Sequence, residues 1–155
     1  MSETGVVHIV DDDASLRGAL ASLFRSVGLS AQQYGATTEF LQAPLPDAPG
    51  CLLLDIRLPG TNGLDFQAQL HEHGIHLPVV LMTGHGDVPM SVRGMKAGAV
   101  DFLQKPFRDQ DMLDAVALAL ARDRERRAAT AKNDTLRTQF ATLSPREQQV
   151  MAHVA

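Results

Sequence analysis

Cys51-Leu52-Leu53-Leu54-Asp55-Ile56-Arg57-Leu58-Pro59-Gly60 is a short apolar run that delivers one carboxylate and then meets a Pro-Gly turn. A continuous run of this length, bounded by turn residues, reads as a strand buried on both faces of a parallel sheet. Working outward, three other runs end in a similar way. Val6-Val7-His8-Ile9-Val10 leads into Asp11-Asp12, Pro78-Val79-Val80-Leu81-Met82 into Thr83, and Ala99-Val100-Asp101-Phe102-Leu103 stops just short of Lys105-Pro106. A buried sheet that repeatedly finishes in carboxylate, carboxylate, hydroxyl and ammonium gathers those groups along one edge, which marks a reaction site.

Helical patterns fill the intervals between these strands. The first spans 14–27, with Leu16, Leu20, Leu23 and Phe24 on one face, Asp13 as its cap and Gly28 at its end. A second strand over Ser30–Tyr34 leads to a short helix containing Phe40 and Leu41, after which Pro44, Pro46 and Pro49 bar regular structure. A third helix spans 64–72 and stops before Gly74; a fourth, Val88–Lys96, follows the turn Gly84-His85-Gly86-Asp87 and ends at Gly98. The fifth starts near Asp109 and carries Met112, Leu113, Val116 and Leu120 at helical spacing. Five alternations of strand and helix predict a parallel sheet wrapped by helices on both faces. Over 121–135 there is no large apolar side chain, so this stretch is expected to continue as helix outside the core. Leu136, Phe140 and Leu143 then recur at a spacing of an amphipathic helix, without the sustained heptads of a coiled coil.

With 155 residues the chain suits one domain and a short extension, and its apolar fraction of 45% is that of a folded protein rather than a disordered one. The single cysteine, Cys51, cannot form an internal disulfide and reads as a small core hydrophobe. No apolar run is long enough to span a bilayer, and Met1-Ser2-Glu3-Thr4 has no basic leader, so a cytoplasmic location away from membranes is expected. Charge is unevenly spread. Through Ala119 seven Lys/Arg face fourteen Asp/Glu, whereas from Leu120 onward seven face four. This fits an acidic body that binds a cation; the run Arg122-Asp123-Arg124-Glu125-Arg126-Arg127 fits a solvated, charge-laced helix better than an anion-docking segment.

If the first and third strands are neighbours, Asp11, Asp12 and Asp55 converge. Mutual repulsion would raise their proton affinity unless a cation is present, and magnesium suits a few hard oxygen donors with water retained. A carboxylate left as nucleophile can form an aspartyl-phosphate, with Lys105 and Thr83 holding phosphoryl oxygens and the metal another.

Taken in this order on successive strands, Asp11-Asp12, Asp55, Thr83 and Lys105-Pro106 resemble the receiver domain of two-component response regulators, over about residues 5–122. The resemblance implies an α/β, flavodoxin-like, doubly wound five-stranded parallel sheet of order 2-1-3-4-5 with an extended C-terminal helix. It implies Asp55 as phospho-acceptor for a sensor histidine kinase, and Mg²⁺ (or Mn²⁺) ligated by Asp12, Asp55 and the backbone carbonyl of Arg57, with Asp11 acting through water. Thr83 and Lys105 would bind phosphate, Thr83 and Phe102 would form a switch pair, and Pro106 would be cis. Burial alone would make Phe102 a plain core aromatic. Such a protein is not an enzyme beyond its own phosphorylation and dephosphorylation. Switching would act on a homodimer face made by Val88, Met90, Val92, Met95 and Lys96. Arg57 and His85, each two residues beyond a site residue, would flank attacking water and tune the lifetime of the phosphorylated state.

The segments Thr83-Gly84-His85-Gly86-Asp87-Val88-Pro89-Met90 and Met95-Lys96-Ala97-Gly98-Ala99 narrow the resemblance to the FixJ-like subgroup, whose output is a LuxR-type helix-turn-helix. Leu143-Ser144-Pro145-Arg146-Glu147-Gln148-Gln149-Val150 resembles the opening of that output domain, with serine as cap and proline at the first helical position. Expected boundaries are 1–122 for the receiver, 123–142 for a helical linker and 143–155 for the first helix of a truncated output domain. Promoter DNA is then a partner of the full-length protein, not one expected for this chain.

Rival chemistries fit less well. A haloacid-dehalogenase-type phosphatase needs a second carboxylate two residues after its nucleophile, where Arg57 stands. A nucleotide- or flavin-binding module needs a Gly-rich phosphate loop after the first strand, where Asp11-Asp12-Asp13 would repel phosphate. The complete site set argues against a receiver that no longer takes phosphate. His71, His73 and His76 lack the same-face spacing of a helical metal site.

Overall fold

A computed structural model of the chain describes residues 5–58, 60–84 and 88–141, with main chain alone at 61, 88 and 132–141. The elements in order are β1 (Val6–Val10), α1 (Ala14–Ser26), β2 (Ser30–Tyr34), α2 (Thr37–Gln42), β3 (Gly50–Asp55), β4 (Arg57–Leu58), β5 (Thr61–Asn62), α3 (Gly63–Glu72), β6 (Val79–Thr83), α4 (Val88–Lys96), β7 (Asp101–Gln104) and α5 (Asp109–Ala141). The main sheet has the order β2-β1-β3-β6-β7 with every pair parallel. Counted within that sheet alone, this is the expected order 2-1-3-4-5.

Strand parity divides the interior into two cores. Val7, Ile9, Cys51, Leu53, Val80 and Met82 point to the face covered by α1, through Leu20 and Phe24, and by α5, through Met112 and Val116. Val10, Leu52, Leu54, Val79 and Leu81 point to the opposite face, where Phe40 of α2 and Phe66 and Leu70 of α3 cover them. The near-continuous apolar runs in the sequence follow from this: a strand covered on both faces has no solvent side to make polar. Each buried side chain of this size contributes roughly 1.5–3 kcal/mol. The central strand β3, buried at all six positions, therefore holds its terminal carboxylate on a rigid support.

Local chemistry sets the ends of the elements. Asp13 caps α1 by accepting from the Leu16 amide at 3.2 Å, as expected. The β4–β5 hairpin was not anticipated; Gly60, at φ 74°, closes it in a conformation that a side chain would disfavour. Asn62 then caps α3, its Oδ1 accepting from the Leu64 amide at 2.7 Å. The last main-sheet strand covers Asp101–Gln104 rather than 99–103. Ala99 still belongs to the closing turn of α4, its amide donating to the Gly94 carbonyl at 3.1 Å.

One expectation about the C-terminal stretch needs correction. Asp123 is buried one turn beyond Leu120, the last apolar core residue of α5, and its Oδ2 accepts from the Gly50 amide at 2.8 Å at the start of β3. A polar anchor, invisible to a search for apolar periodicity, holds this turn of α5 to the sheet. The first compact unit accordingly ends at Asp123; of the second, the described residues 124–141 are helical. The amphipathic pattern at Leu136, Phe140 and Leu143 involves side chains outside the described residues, and the expected output-domain helix over 143–155 lies wholly outside them. Among the described residues no helix is long and apolar enough to cross a membrane.

Candidate functional site

Parallel pairing of β1 with β3, with Val10 opposite Leu54, brings the residues that follow each strand to the same sheet edge. Asp11, Asp12 and Asp55 meet there, each offering a carboxylate oxygen within 4.8 Å of the others. Asp11 and Asp55 are buried and Asp12 is exposed. Asp11 is held from two sides: Oδ1 accepts from the Asp13 amide at 2.9 Å and Oδ2 from Lys105 Nζ at 2.8 Å. Asp55 accepts from the Arg57 amide at 3.1 Å through Oδ1 and from Lys105 Nζ at 3.1 Å through Oδ2.

Lys105 reaches this edge from the loop after β7. Its amide donates to the Thr83 carbonyl at 2.7 Å, and the Lys105–Pro106 peptide is cis, as the resemblance implied. The ammonium thus bridges two buried carboxylates from different strands, a charge-assisted arrangement that neither strand could make alone. Burial pushes the Asp55 carboxyl above the usual carboxylate range; the Arg57 amide and Lys105 pull it down, while Asp11 pushes it up. The expected upward direction holds, but its leading cause is desolvation and not repulsion among the acids. Burial acts to lower the Lys105 value, yet its bonds and charge contacts with Asp11 and Asp55 outweigh this and leave it raised. Lys105 remains a cation, and the Asp55 carboxylate is more basic than that of a solvated aspartate.

Thr83 ends β6 and is fully buried, its Oγ1 donating to the Leu103 carbonyl at 3.4 Å, a long and weak bond. Phe102, opposite Leu81 on the neighbouring strand, is partly buried against the core under α3 and α4. Strand alternation puts Thr83 on that same face, so the two residues of the expected switch pair share one side of the sheet. On α4, Val92, Met95 and Lys96 are exposed and Met90 is half-buried, whereas Ser91 and Gly94 face inward. The side chain of Val88 and all of His85 lie outside the described residues. The Arg57 side chain is exposed beside the acid site.

The donor set fits a small hard divalent cation. It comprises carboxylate oxygens alone, and one of the three acids opens to solvent, where an ion that retains water could be reached. Two contributors were not singled out from the sequence. Gly63, where α3 starts, lies so close to the acid strand that a Cβ would sit 2.7 Å from the Asp55 carbonyl oxygen and 2.8 Å from Ile56 Cα. Its signal was the Asn62-Gly63 pair just after a Pro-Gly turn. Arg17, one turn into α1, donates from Nη1 to the Asp11 carbonyl at 2.5 Å. Its signal was only an arginine at the helical start that follows three acids.

Residues 7–117 match the response regulator receiver domain family. The chain is 54% identical over 154 residues to nodulation protein W of Bradyrhizobium diazoefficiens, covering 99% of this chain and 68% of that one. It is 42% identical over 151 residues to the transcriptional regulatory protein FixJ of Azorhizobium caulinodans, covering 97% and 72%. Among solved structures, the response regulator StyR superimposes with a TM-score of 0.88 at 43% identity, covering 97% of this chain and 76% of that one. The chain spans about two thirds to three quarters of the length of these relatives.

Proposed function

Because the chain belongs to the response regulator receiver family of two-component systems, with FixJ-like transcriptional regulators among its relatives, we propose that Asp55 accepts a phosphoryl group from a sensor histidine kinase. The observation that carries this reading is the bridge from Lys105 to Asp11 and Asp55, beside an exposed Asp12, at the carboxyl end of a buried parallel sheet. Asp12, Asp55 and the Arg57 carbonyl would hold Mg²⁺, with Asp11 acting through water, and the bound ion supplies charge for a phosphoryl oxygen.

Each residue of the chain then has a defined task. Asp55 attacks phosphorus through a carboxylate oxygen, forming the acyl phosphate as the bond to the donor breaks. Lys105 stays close enough to hold one phosphoryl oxygen, at some expense of its bond to Asp55, and Asp11 keeps it in place. Thr83 gives up its weak bond to the Leu103 carbonyl to donate to another phosphoryl oxygen. Phe102 turns into the space that Thr83 vacates, which changes the face carrying Met90, Val92, Met95, Lys96 and Val88. That face pairs two copies of the chain. Arg57 and His85, each two residues beyond a site residue in the sequence, would set how long the phosphoryl group lasts.

Transcriptional regulatory proteins stand among the relatives, and a C-terminal helix-turn-helix beginning near Leu143 would carry the output to promoter DNA, with 123–142 as the linker. The test is incubation with Mg²⁺ and a small acyl-phosphate donor, followed by intact mass. A phosphate adduct that vanishes in Asp55→Asn is the expected result; an adduct of equal yield in Asp55→Asn, or none in the unmodified chain, would rule the proposal out.

A further inference from the structure

The geometry points to Arg17 as a positioning residue for the divalent cation, acting through the Asp11 main-chain carbonyl; the inference rests on the reading of Asp11, Asp12 and Asp55 as a cation-holding cluster. Arg17 lies in the first turn of α1, its own amide donating to the Asp13 carbonyl at 3.0 Å. From there the side chain turns back over the strand end, and Nη1 donates to Asp11 O at 2.5 Å. That carbonyl belongs to the peptide joining Asp11 to Asp12.

The three acids are held unequally. Both carboxylate oxygens of Asp11 are engaged, and its amide donates to the Tyr34 carbonyl at 3.2 Å. Both oxygens of Asp55 are engaged as well. Asp12 is exposed, so the direction in which its side chain leaves the backbone depends on the peptide plane that precedes it. Arg17 fixes that plane. The guanidinium lies beside the turn after β2, where a Cβ at Gly35 would sit 3.6 Å from Arg17 Nη1 and 3.3 Å from Glu39 Oε2, and Glu39 Oε2 accepts from the Gly35 and Ala36 amides. Arg17 Nε is buried with no hydrogen-bond partner among the described residues. A long cationic side chain ordered at that penalty, with its Nη1 bond to one carbonyl, has a positional role that a surface arginine lacks.

The sign of the effect separates position from charge. A guanidinium near a cation site repels the cation, so charge alone predicts tighter Mg²⁺ binding when Arg17 is neutralised. A positioning role predicts the opposite. Mg²⁺ titration by calorimetry should therefore compare the unmodified chain with Arg17→Met, which keeps the stem without the donor, Arg17→Lys, which keeps a donor, and Asp12→Asn. The expected result is at least about tenfold weaker binding in Arg17→Met, the scale of outer-shell partners at metal sites, with most of the loss recovered in Arg17→Lys. Asp55-dependent labelling should require more Mg²⁺ in Arg17→Met than in the unmodified chain to reach the same extent. Unchanged or tighter binding in Arg17→Met overturns the inference, and a lower urea midpoint in that variant with unchanged affinity does so too, assigning Arg17 to the fold. Weaker binding in Asp12→Asn but not in Arg17→Met removes the role of Arg17 and leaves the cation cluster standing. No Mg²⁺ binding by the unmodified chain removes both.

Discussion

At the scale of single residues, the site is a balance of burial against charge. The Asp55 carboxyl titrates higher in the folded chain than in the unfolded one because burial disfavours its ionised form. Ionising it therefore costs stability as pH rises through and above the ordinary carboxylate range. In the absence of added Mg²⁺, Asp55→Asn should raise the urea midpoint at pH 7, with the gain fading as pH falls toward 4; a lower midpoint at pH 7 would contradict this. Lys105→Met leaves two buried carboxylates facing each other, so its loss of stability should be larger at pH 7 than at pH 4, and acyl-phosphate labelling should slow by about 100-fold or more. His8 carries the opposite sign. Burial lowers it from 6.5 to about 4, while its Nδ1 faces the Tyr34 hydroxyl at 3.2 Å. Below pH 6.5 the unfolded chain takes a proton that the folded chain refuses, so roughly 3 kcal/mol of stability is lost by pH 4. The difference in unfolding free energy between the unmodified chain and His8→Gln should shrink by about that amount between pH 7 and 4; a pH-independent difference would remove His8 from the acid response. Asp11, Asp55, Thr83 and Lys105 were legible in the sequence because each follows an apolar run. Arg17 and His8 were not, since an arginine on a helix and a histidine in a strand look ordinary until the backbone brings their partners near.

At the scale of elements, close approach matters more than composition. The start of α3 lies against the backbone of Asp55 and Ile56, and only a glycine at position 63 permits it. Gly63→Ala should destabilise the chain by about 1–3 kcal/mol and slow Asp55 labelling as well, because the atoms that must yield are main-chain atoms of the site. Unfolding by urea and labelling rate measure the two effects; a loss of stability with no change in labelling would separate α3 from the site. The alternating strands and helices were readable from periodicity, and so was Asp13 as a cap. The β4–β5 hairpin escaped notice because two residues per strand leave no period to detect. The burial of Asp123 escaped for a related reason: its partner, the Gly50 amide, lies more than seventy residues away, and no local pattern encodes that distance.

At the scale of the whole molecule, the proposed output is a change in how copies of the chain associate. Val92 and Met95 are large apolar side chains on α4 that are exposed at 45% and 36%. Sizing should give a dimer on addition of Mg²⁺ and beryllofluoride, and Met95→Glu, an exposed substitution expected to change stability by about 0.5 kcal/mol or less, should abolish it. A dimer that survives Met95→Glu would move the interface elsewhere. The doubly wound sheet was legible because every strand carries its burial in its composition, whereas the pairing of two chains leaves only a few exposed hydrophobics as its trace. All of this depends on which acid carries the phosphoryl group. The direct measurement is borohydride reduction of the acyl-phosphate-labelled chain, which converts the modified aspartate to homoserine, followed by peptide sequencing in the mass spectrometer. Homoserine at position 55 alone is expected; homoserine at position 11 or 12, with Asp55 intact, would mean that the nucleophile has been misassigned.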